Sequence, residues 1–254
     1  MSTSTPPAAL VTGAAKRIGR AIALSLGRQG WAVAVHHRRS PDEAAAVAAE
    51  IAAAGGRAVT LAADLSHEDE TQGLMARAAE RLGPIGCLVN NASLFEPDEA
   101  LTVSRASWDA HMETNLRAPL VLTQAFARQL PKDAEGAVIN MIDQRVVNLT
   151  SHFISYTTSR AALWTLTQTL ALALAPRIRV NAIGPGPTLP SPRQSQADFA
   201  RQCAAMPLGR GATPDEIAQA VLFILQARSM TGELIALDGG QHLVRVAADA
   251  AREE

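Results

Sequence analysis

The chain is poor in aromatic residues and contains a single tyrosine, Tyr156. Phenylalanine, tryptophan and tyrosine together make up 4% of its 254 residues, whereas hydrophobic residues make up 48%. A core of that composition favours alanine-rich and leucine-rich helices packed on a sheet over an aromatic-rich β-sandwich. The length and the hydrophobic content predict one compact domain over residues 1–254.

The chain also lacks an excess of charge of either sign, since its formal net charge is −1. Its only basic cluster, residues 36–39, is too short for a nucleic-acid surface and suits a single phosphate group. A nucleic-acid partner is therefore not expected. Neither is a metal ion, because the six histidines show no ligand spacing with carboxylates or thiols.

Cysteines and long apolar runs are equally scarce. Cys87 and Cys203 lie far apart in the sequence, and nothing about them requires an oxidising compartment. The longest apolar stretch, residues 163–175, is interrupted by threonine and glutamine and is too short to span a bilayer. Residues 1–7 are polar and have no apolar signal core. We therefore expect a cytoplasmic protein with no membrane partner.

Short apolar runs alternate with longer amphipathic segments along the chain, which indicates a parallel sheet covered by helices. The predicted strands are residues 8–12, 31–36, 58–62, 87–90, 137–142, 179–182 and 234–237. The predicted helices are residues 17–29, 42–54, 68–82, 104–129, 155–174 and 214–226. This pattern predicts a Rossmann-like, doubly wound α/β domain with helices on both faces of the sheet.

Two segments break this alternation. Residues 184–212 contain five prolines and are far longer than the usual connection of about 2–6 residues between a strand and a helix. We predict that they form a lid over a functional site, with a short helix at residues 197–205. Residues 241–254 become polar and charged, and we expect them to lie on the surface or at a subunit contact.

A turn of small residues joins the first predicted strand to the first helix. Gly13 permits a tight bend, and Gly19 allows the helix to approach the sheet closely. The start of the helix, with Arg17 and Ile18, offers unpaired N–H groups to a pyrophosphate. The glycine spacing differs from the usual dinucleotide-binding form, so a plain bend between strand and helix is an equal alternative at this point.

The second predicted strand ends in residues that distinguish between the two nicotinamide cofactors. An NAD site would place an acidic residue there for the ribose hydroxyls. The chain instead has a basic and polar group: His36, Arg38, Arg39 and Ser40. Arginine and serine suit a 2′-phosphate, which an acid would repel. We therefore predict NADPH as the cofactor, with Asp64 and Leu65 beside its adenine.

Tyr156 and Arg160 are spaced to lie on the same face of a predicted helix. A cation about 4 Å from a phenol stabilises the phenolate by up to roughly 4 kcal/mol, or about three pKa units, at an effective dielectric constant of about 20. The pair therefore predicts a tyrosine with a lowered pKa. Such a pair is common by chance, and taken alone it favours a packed helix that happens to contain a tyrosine.

Five motifs that occur in a fixed order favour a functional Tyr156–Arg160 pair over a chance one. Together they resemble the short-chain dehydrogenase/reductase family over essentially the whole chain. The motifs are Thr12-Gly13-x-x-x-Arg17-x-Gly19, Asn90-Asn91-Ala92-Ser93, Asn115, Tyr156-x-x-x-Arg160 and Asn181-Ala182-Ile183-Gly184-Pro185-Gly186. The resemblance adds to the predicted cofactor-binding residues Asn91, Ala92, Tyr156, Arg160, Pro185 and Gly186. It also implies a homotetramer built through the helices at 104–129 and 155–174.

In that family the tyrosine donates a proton, and the residue four positions later holds the nicotinamide ribose and lowers the pKa of the tyrosine. The resemblance gives these roles to Tyr156 and Arg160, and it gives Asn115 the support of a water-linked proton path. Arg160 stands where the family usually has lysine. A guanidinium stays protonated, so it cannot relay a proton as a lysine sometimes can.

Asp143 indicates the substrate, because most members of the family have at this position a serine that bonds a substrate carbonyl. With Ser93, Phe95 and the basic cluster after the second strand, Asp143 resembles the pteridine reductase branch. That branch implies a pterin bound by five residues: Arg17, Ser93, Phe95, Asp143 and Tyr156. Phe95 would stack on the pterin opposite the nicotinamide, and Asp143 would supply or relay a proton to a ring nitrogen. An ion pair with Arg145 or Arg160 is the alternative role for Asp143.

The expected function is therefore the NADPH-dependent reduction of a ring imine in a dihydropteridine or a compound like dihydrofolate. Two alternatives stay open. In the first, the chain is a reductase of aldehydes or ketones that merely tolerates Asp143. In the second, it binds the nucleotide without turnover, and Arg160 in place of lysine marks the loss of catalysis.

Overall fold

The computed structural model describes residues 7–244, and the centre of this part of the chain is a sheet of seven parallel strands. The strands are β1 (Ala8–Val11), β2 (Ala32–His37), β3 (Ala58–Ala62), β4 (Ile85–Asn90), β5 (Gly136–Met141), β6 (Ile178–Pro185) and β7 (Leu234–Leu237). Their order across the sheet is β3-β2-β1-β4-β5-β6-β7. Every residue of β1, β2 and β5 is buried, as apolar strands covered on both faces require. The predicted doubly wound α/β fold is confirmed.

Helices cover both faces of the sheet. They are α1 (Arg17–Arg28), α2 (Pro41–Ala53), α3 (Glu68–Leu82), α4 (Arg105–Met112), α5 (Ala118–Gln129), α6 (Ile154–Leu174), α7 (Gln196–Ala204) and α8 (Pro214–Gln226). Successive strand side chains point to opposite faces, so Val11 packs with α1, α2 and α8, whereas Leu10 packs with α3, α5 and α6. Within residues 7–244 no helix has the length and apolar character needed to cross a membrane.

The strand order changes direction between β1 and β4, which lie side by side in the middle of the sheet. The connections after these two strands therefore leave toward opposite sides of the sheet. In open α/β sheets, ligands bind in the crevice that this divergence creates beyond the carboxyl ends of the strands. The turn after β1 and the segments after β4 and β5 all end at that edge, which places the predicted site residues near one another.

The helix predicted over residues 104–129 is wrong in one respect, because it is interrupted. α4 ends at Met112, and Glu113–Arg117 form one turn of π-helix before α5 begins. A π turn widens the helix by one residue and is frequent at functional sites. Here it contains Asn115, whose fully buried side chain bonds the backbone of Leu94.

The predicted lid and its flanks have more regular structure than the sequence indicated. β6 continues past the predicted end at residue 182, because the Gly186 N–H still bonds the Leu237 carbonyl of β7 at 2.9 Å. The lid helix α7 begins one position before the predicted range, with Ser195 and Asp198 forming a capping box. Gln241–Leu243 form a single 3₁₀ turn, and the predicted surface tail beyond residue 244 lies outside the described residues.

Candidate active site

A cavity of about 600 Å³ opens at the carboxyl ends of the strands, and residues of the predicted lid form part of its wall. Many predicted site residues line it: Gly13, Arg17, Ile18, Gly19, Arg38, Asn91, Ser93, Phe95, Asp143, Tyr156, Arg160, Pro185 and Gly186. The other predicted site residues lie outside its wall: His36, Arg39, Ser40, Asp64, Leu65, Ala92 and Asn115. The structure therefore brings the predicted proton donor and the predicted phosphate-binding turn into one space.

The turn between β1 and α1 is held by the segment that follows β4. Thr12 Oγ1 accepts hydrogen bonds from the backbone N–H groups of Asn91 and Ala92, both at 2.9 Å. The side-chain amide of Asn91 in turn donates to the Thr12 carbonyl at 2.8 Å. Gly13 has a φ of +61°, and a Cβ atom on Gly19 would lie 2.2 Å from the Gly13 carbonyl oxygen. The turn is thus too tight for a side chain at position 19.

His36 lies beneath this turn and does not reach the cavity wall. Its Nδ1 accepts the N–H of Gly13 at 3.0 Å, which leaves Nε2 to donate to the Ala63 carbonyl at 3.1 Å. Burial lowers the pKa of His36 to about 4, against the opposing effect of the bond to Ala63. The neutral ring supports the turn with both nitrogens in use, so His36 holds the predicted phosphate-binding turn from below.

Positive charge lines the part of the cavity next to the turn. Lys16, Arg17 and Arg38 belong to the wall, whereas the Arg39 side chain is exposed outside it. Asp64 lies at the end of β3, where burial opposes its ionisation but hydrogen bonds from Ser66 prevail and lower its pKa. Of the two adjacent arginines predicted to meet a phosphate, only Arg38 faces the cavity.

A hydrogen bond between Tyr156 and Asp143 is the most distinctive chemical feature of the cavity. The phenol donates to Oδ2 of Asp143 at 2.9 Å. Oδ1 of Asp143 accepts the backbone N–H of Arg145 at 2.8 Å, because Asp143 caps the single 3₁₀ turn Gln144–Val146. The Arg145 guanidinium is 4.0 Å from the same oxygen. Asp143 is therefore near the Arg145 guanidinium, as the ion-pair alternative requires, and it also accepts the hydrogen bond from Tyr156.

The pKa of Tyr156 is raised, so the expectation that the neighbouring cation lowers it is wrong. Burial disfavours the phenolate, and the negative charge of Asp143 disfavours it further. Arg160 acts in the opposite direction and is outweighed. The spacing of Tyr156 and Arg160 indicates the cation but contains no information on burial or on the charge of Asp143, which follows β5. Tyr156 therefore keeps its proton at neutral pH.

Arg160 lies over the Tyr156 ring. Its Cζ atom is 5.4 Å from the ring centroid, and its Nη1 donates to the Met141 carbonyl at 3.1 Å. The residue is 2% exposed. Its Nε atom has no hydrogen-bond partner among residues 7–244. Arg160 therefore places a buried cation with an unused donor in the cavity wall.

Asn115 fixes the segment after β4. Its Oδ1 accepts the N–H of Leu94 at 2.8 Å, and its Nδ2 donates to the Leu94 carbonyl at 2.9 Å and to Ser159 Oγ at 3.1 Å. Both amide hydrogens are thus donated to protein atoms, and Asn115 connects this segment to α6. A water-linked proton path at Asn115 stays a prediction.

Phe95 lies next to Tyr156 in the cavity wall and already has an aromatic partner. Its ring stacks on Phe153, with 4.4 Å between the centroids, and meets the Tyr156 ring edge-on at 4.7 Å. The Arg193 guanidinium of the lid lies 5.3 Å from the Phe95 centroid. Ser93 also lines the cavity. The structure thus brings these two predicted substrate residues to Tyr156, while stacking of a ligand on Phe95 stays a prediction.

Two arginines tie the lid across the cavity. Arg17, whose φ is +54°, donates to the carbonyls of Leu189 at 3.2 Å and Pro190 at 3.0 Å. Arg193 forms an ion pair with Glu96 at 3.1 Å. The sequence indicated Arg17 as a ligand contact and gave no indication of Arg193, because the fold of the lid decides which chain segments it touches.

A buried polar network behind Tyr156 was not predicted from the sequence. Asp98 accepts hydrogen bonds from Ser107 Oγ at 2.6 Å, from the Ser155 N–H at 3.1 Å and from the Ser155 hydroxyl. Nδ1 of His111 lies 2.7 Å from the same Ser155 hydroxyl. These bonds fix the first turn of α6, which carries Tyr156. Its members are common residue types on separate segments, so no spacing in the sequence identifies them.

Three features of the site are arranged as in short-chain dehydrogenases. They are a tyrosine on the helix after the fifth strand, an asparagine in the interrupted helix before it, and a tight turn after the first strand. The chain belongs to this family, whose model, described as short chain dehydrogenase, matches residues 7–200. The family resemblance inferred from the motifs is confirmed.

Within the family, the chain is similar to two crystal structures of FolM alternative dihydrofolate reductase 1 in complex with NADP. The structure from Brucella suis has a TM-score of 0.92 and 49% sequence identity, over 96% of this chain and 98% of that chain. The structure from Brucella canis has a TM-score of 0.90 and 47% identity, over 96% and 97%. A more distant relative, the 3-oxoacyl-[acyl-carrier-protein] reductase FabG of Staphylococcus epidermidis, is 31% identical over 240 residues, or 92% of this chain and 98% of the relative.

The buried His36 makes a prediction about stability and pH. Its pKa is lowered from 6.5 to about 4 in the folded chain, so its contribution to stability is complete above pH 6.5 and is lost as the pH falls toward 4. We expect the wild type to lose about 2 to 3 kcal/mol more of its free energy of unfolding than His36→Gln between about pH 7.5 and 4.5. Denaturant unfolding at both pH values measures this difference.

The matched control for this experiment is His67→Gln. The His67 side chain is 66% exposed, so its replacement removes no buried ring and should change the pH dependence of unfolding far less than His36→Gln does. Equal pH dependence in the wild type and in His36→Gln would show that the ring beneath the turn does not limit acid stability.

Proposed function

We propose that the protein reduces a ring imine of a dihydropteridine, such as dihydrofolate or a dihydromonapterin-like compound, with NADPH as the reductant. The observation that carries the proposal is the 2.9 Å hydrogen bond between Tyr156 and Asp143 in the cavity wall. The similarity to the two Brucella FolM alternative dihydrofolate reductases, at 47% and 49% identity, supports it. The name of those proteins states a folate substrate, and their structures contain NADP.

The turn before α1 fits the phosphates of such a cofactor. Lys16, Arg17 and Arg38 bring positive charge to the cavity wall. The missing side chain at Gly19 lets the first turn of α1 pack against Gly13 and Asn91, and the N–H groups at a helix N-terminus suit a pyrophosphate. The cofactor would be held by Gly13, Ile18, Gly19, Arg38, Arg39, Ser40, Asn91, Ala92, Arg160, Pro185 and Gly186, with Asp64 and Leu65 beside its adenine. When bound, NADPH supplies the hydride.

The reduction of a ring C=N bond also requires a proton at the nitrogen, and we assign its delivery to Tyr156 with Asp143. The raised pKa of Tyr156 keeps its hydroxyl protonated at neutral pH. The proton moves from the phenol to the ring nitrogen while the ring carbon gains the hydride. Arg145 and Arg160, which both favour the phenolate, offset the negative charge that remains on the pair.

The second candidate is a reductase of aldehydes or ketones, which the relation to a 3-oxoacyl reductase favours. Such an enzyme needs a donor to a carbonyl oxygen, and Tyr156 alone provides it. Asp143 would then be a tolerated replacement for the usual serine. A third candidate, nucleotide binding without turnover, rests on Arg160 alone and predicts that no substrate is reduced.

Replacing Asp143 distinguishes these candidates. We expect Asp143→Ser to slow the reduction of 7,8-dihydrofolate by about 100-fold or more, because a general acid–base group contributes roughly 10²–10⁴-fold. The rate is measured as NADPH consumption. Asp133→Ser, at an exposed aspartate before β5, is the matched control and should keep the wild-type rate.

A ketone reductase gives the opposite result, in which Asp143→Ser keeps or raises turnover of a ketone. If the wild type reduces ketones and no pterin or folate, the substrate assignment is wrong. If it binds NADPH and reduces neither class, the third candidate stands.

The cofactor site is tested by Gly19→Ala. The added methyl group would lie 2.2 Å from the Gly13 carbonyl oxygen and 2.5 Å from Nδ2 of Asn91, so the turn must open. We expect the Kd for NADPH, measured by fluorescence titration, to rise at least about tenfold, which corresponds to about 1.4 kcal/mol. Gly73→Ala is the control, since a Cβ there meets nothing within 4 Å. An unchanged Kd in Gly19→Ala would contradict the placement of the cofactor at this turn.

We also propose that the protein assembles as a homotetramer through α4, α5 and α6, as the family resemblance implies. Leu172 on α6 is 83% exposed in the single chain and Trp108 on α4 is 37% exposed, which leaves apolar surface to be covered. Sedimentation velocity should give about four times the chain mass of 26.7 kDa. A species of one chain mass at micromolar concentration would contradict this assembly.

A further inference from the structure

Gln144 is a residue of the cavity wall, and its side-chain oxygen Oε1 is buried and has no hydrogen-bond partner among residues 7–244. Gln144 directly follows Asp143 and is 3% exposed. More than about 90% of buried polar groups in proteins have a hydrogen-bond partner, so an unpartnered amide oxygen on a residue that lines a cavity points to a donor outside the chain, either a bound ligand or a water molecule.

Gln144 differs from most other residues that have an unpartnered buried atom, because it lines the cavity. Among residues 7–244, only Gln144 Oε1 and Arg160 Nε combine a missing partner with a position in this cavity wall. Arg160 already packs on the Tyr156 ring and belongs to the proposed cofactor site. Neither the family motifs nor the proton transfer described above uses Gln144.

Hydrogen bonds fix the backbone around Gln144. The Gln144 carbonyl accepts the N–H groups of Val147 at 3.0 Å and Asn148 at 3.2 Å. Asp143 caps the same short turn through the N–H of Arg145. β6 supports the turn from behind, where a Cβ on Gly184 would lie 3.5 Å from the Gln144 nitrogen. The unpartnered amide therefore extends from a backbone turn that is fixed by hydrogen bonds.

The chemistry of a primary amide selects among the candidate substrates. Its oxygen needs a hydrogen-bond donor, and its nitrogen offers donors in the same plane. The pyrimidine ring of a pteridine has N3–H and 2-amino donors next to acceptors, so the amide can pair with that edge through two hydrogen bonds. The reactive group of a ketone or an aldehyde offers an acceptor only and leaves Oε1 unsatisfied.

We propose that Gln144 binds the pyrimidine edge of the pteridine and thereby favours pteridines over simple carbonyl substrates. This inference rests on the proposed function. It gives two consecutive residues separate tasks, since Asp143 acts with Tyr156 on the ring that is reduced, whereas Gln144 recognises the ring fused to it.

The test is to replace the amide with an apolar group of similar size, with Gln144→Leu and, as a second variant, Gln144→Met. We expect the Kd of 7,8-dihydrofolate for the complex with NADP⁺, measured by calorimetry, to rise about tenfold or more, because the ligand donor loses its partner. The Kd of NADP⁺ should not change. The melting temperature should stay equal or rise, since an unsatisfied buried group is removed.

A glutamine with a purely structural role provides the control. The amide of Gln129 bonds the Ile85 N–H at 3.0 Å and the Ile85 carbonyl at 2.7 Å. We expect Gln129→Leu to lower the melting temperature and to leave the affinity for dihydrofolate unchanged. The two glutamines should therefore give opposite patterns of stability and binding.

Three results would overturn the inference. If both Gln144 variants bind dihydrofolate as the wild type does, the amide does not contact the substrate. If they lose affinity for NADP⁺ and keep it for dihydrofolate, the amide faces the cofactor. If the wild type itself binds no dihydrofolate, the proposed function fails and the inference fails with it, which separates this result from the first.

Discussion

The hydrogen bond between Tyr156 and Asp143 is the interaction on which the rest of the site depends. A carboxylate withdrawn from water is stable only when its oxygens are bonded, and here Oδ1 accepts the N–H of Arg145 while Oδ2 accepts the phenol. The same carboxylate, together with burial, raises the pKa of the phenol. Burial and this contact thus keep a proton on the only tyrosine of the chain, and the phenol is directed at Asp143 in the cavity wall.

The two partners of this bond belong to different elements, and each is fixed by its own support. Asp143 is held as the cap of a short turn after β5. Tyr156 is held because Asp98 and His111 bond Ser155 in the first turn of α6. A catalytic pair keeps its geometry only if the shell behind it is also bonded. The buried polar residues behind α6 therefore contribute to the site without lining the cavity.

Sequence patterns predict the parts of this protein that local physics determines. Apolar strands, capped helices and the tight turn at Gly13 and Gly19 follow from burial, capping and backbone sterics, and the structure has them within a few residues of the predicted bounds. The π turn, the direction of the Tyr156 pKa and the place of His36 depend on contacts between distant segments. Gln144 could not be predicted as a site residue for the same reason, because an amide indicates a binding site only when its surroundings leave it without a partner.

The role of Asp143 explains why arginine can replace the usual lysine at position 160. A cation beside the tyrosine makes it a stronger acid, which helps to protonate a weakly basic carbonyl oxygen. An imine nitrogen is more basic than a carbonyl oxygen, so its protonation demands less acidity from the donor. Arg160 packs on the ring face, 5.4 Å from its centroid, and its effect on the phenol is outweighed by burial and by Asp143. Loss of the lysine and gain of the aspartate are therefore compatible changes in a site that gives its proton to nitrogen.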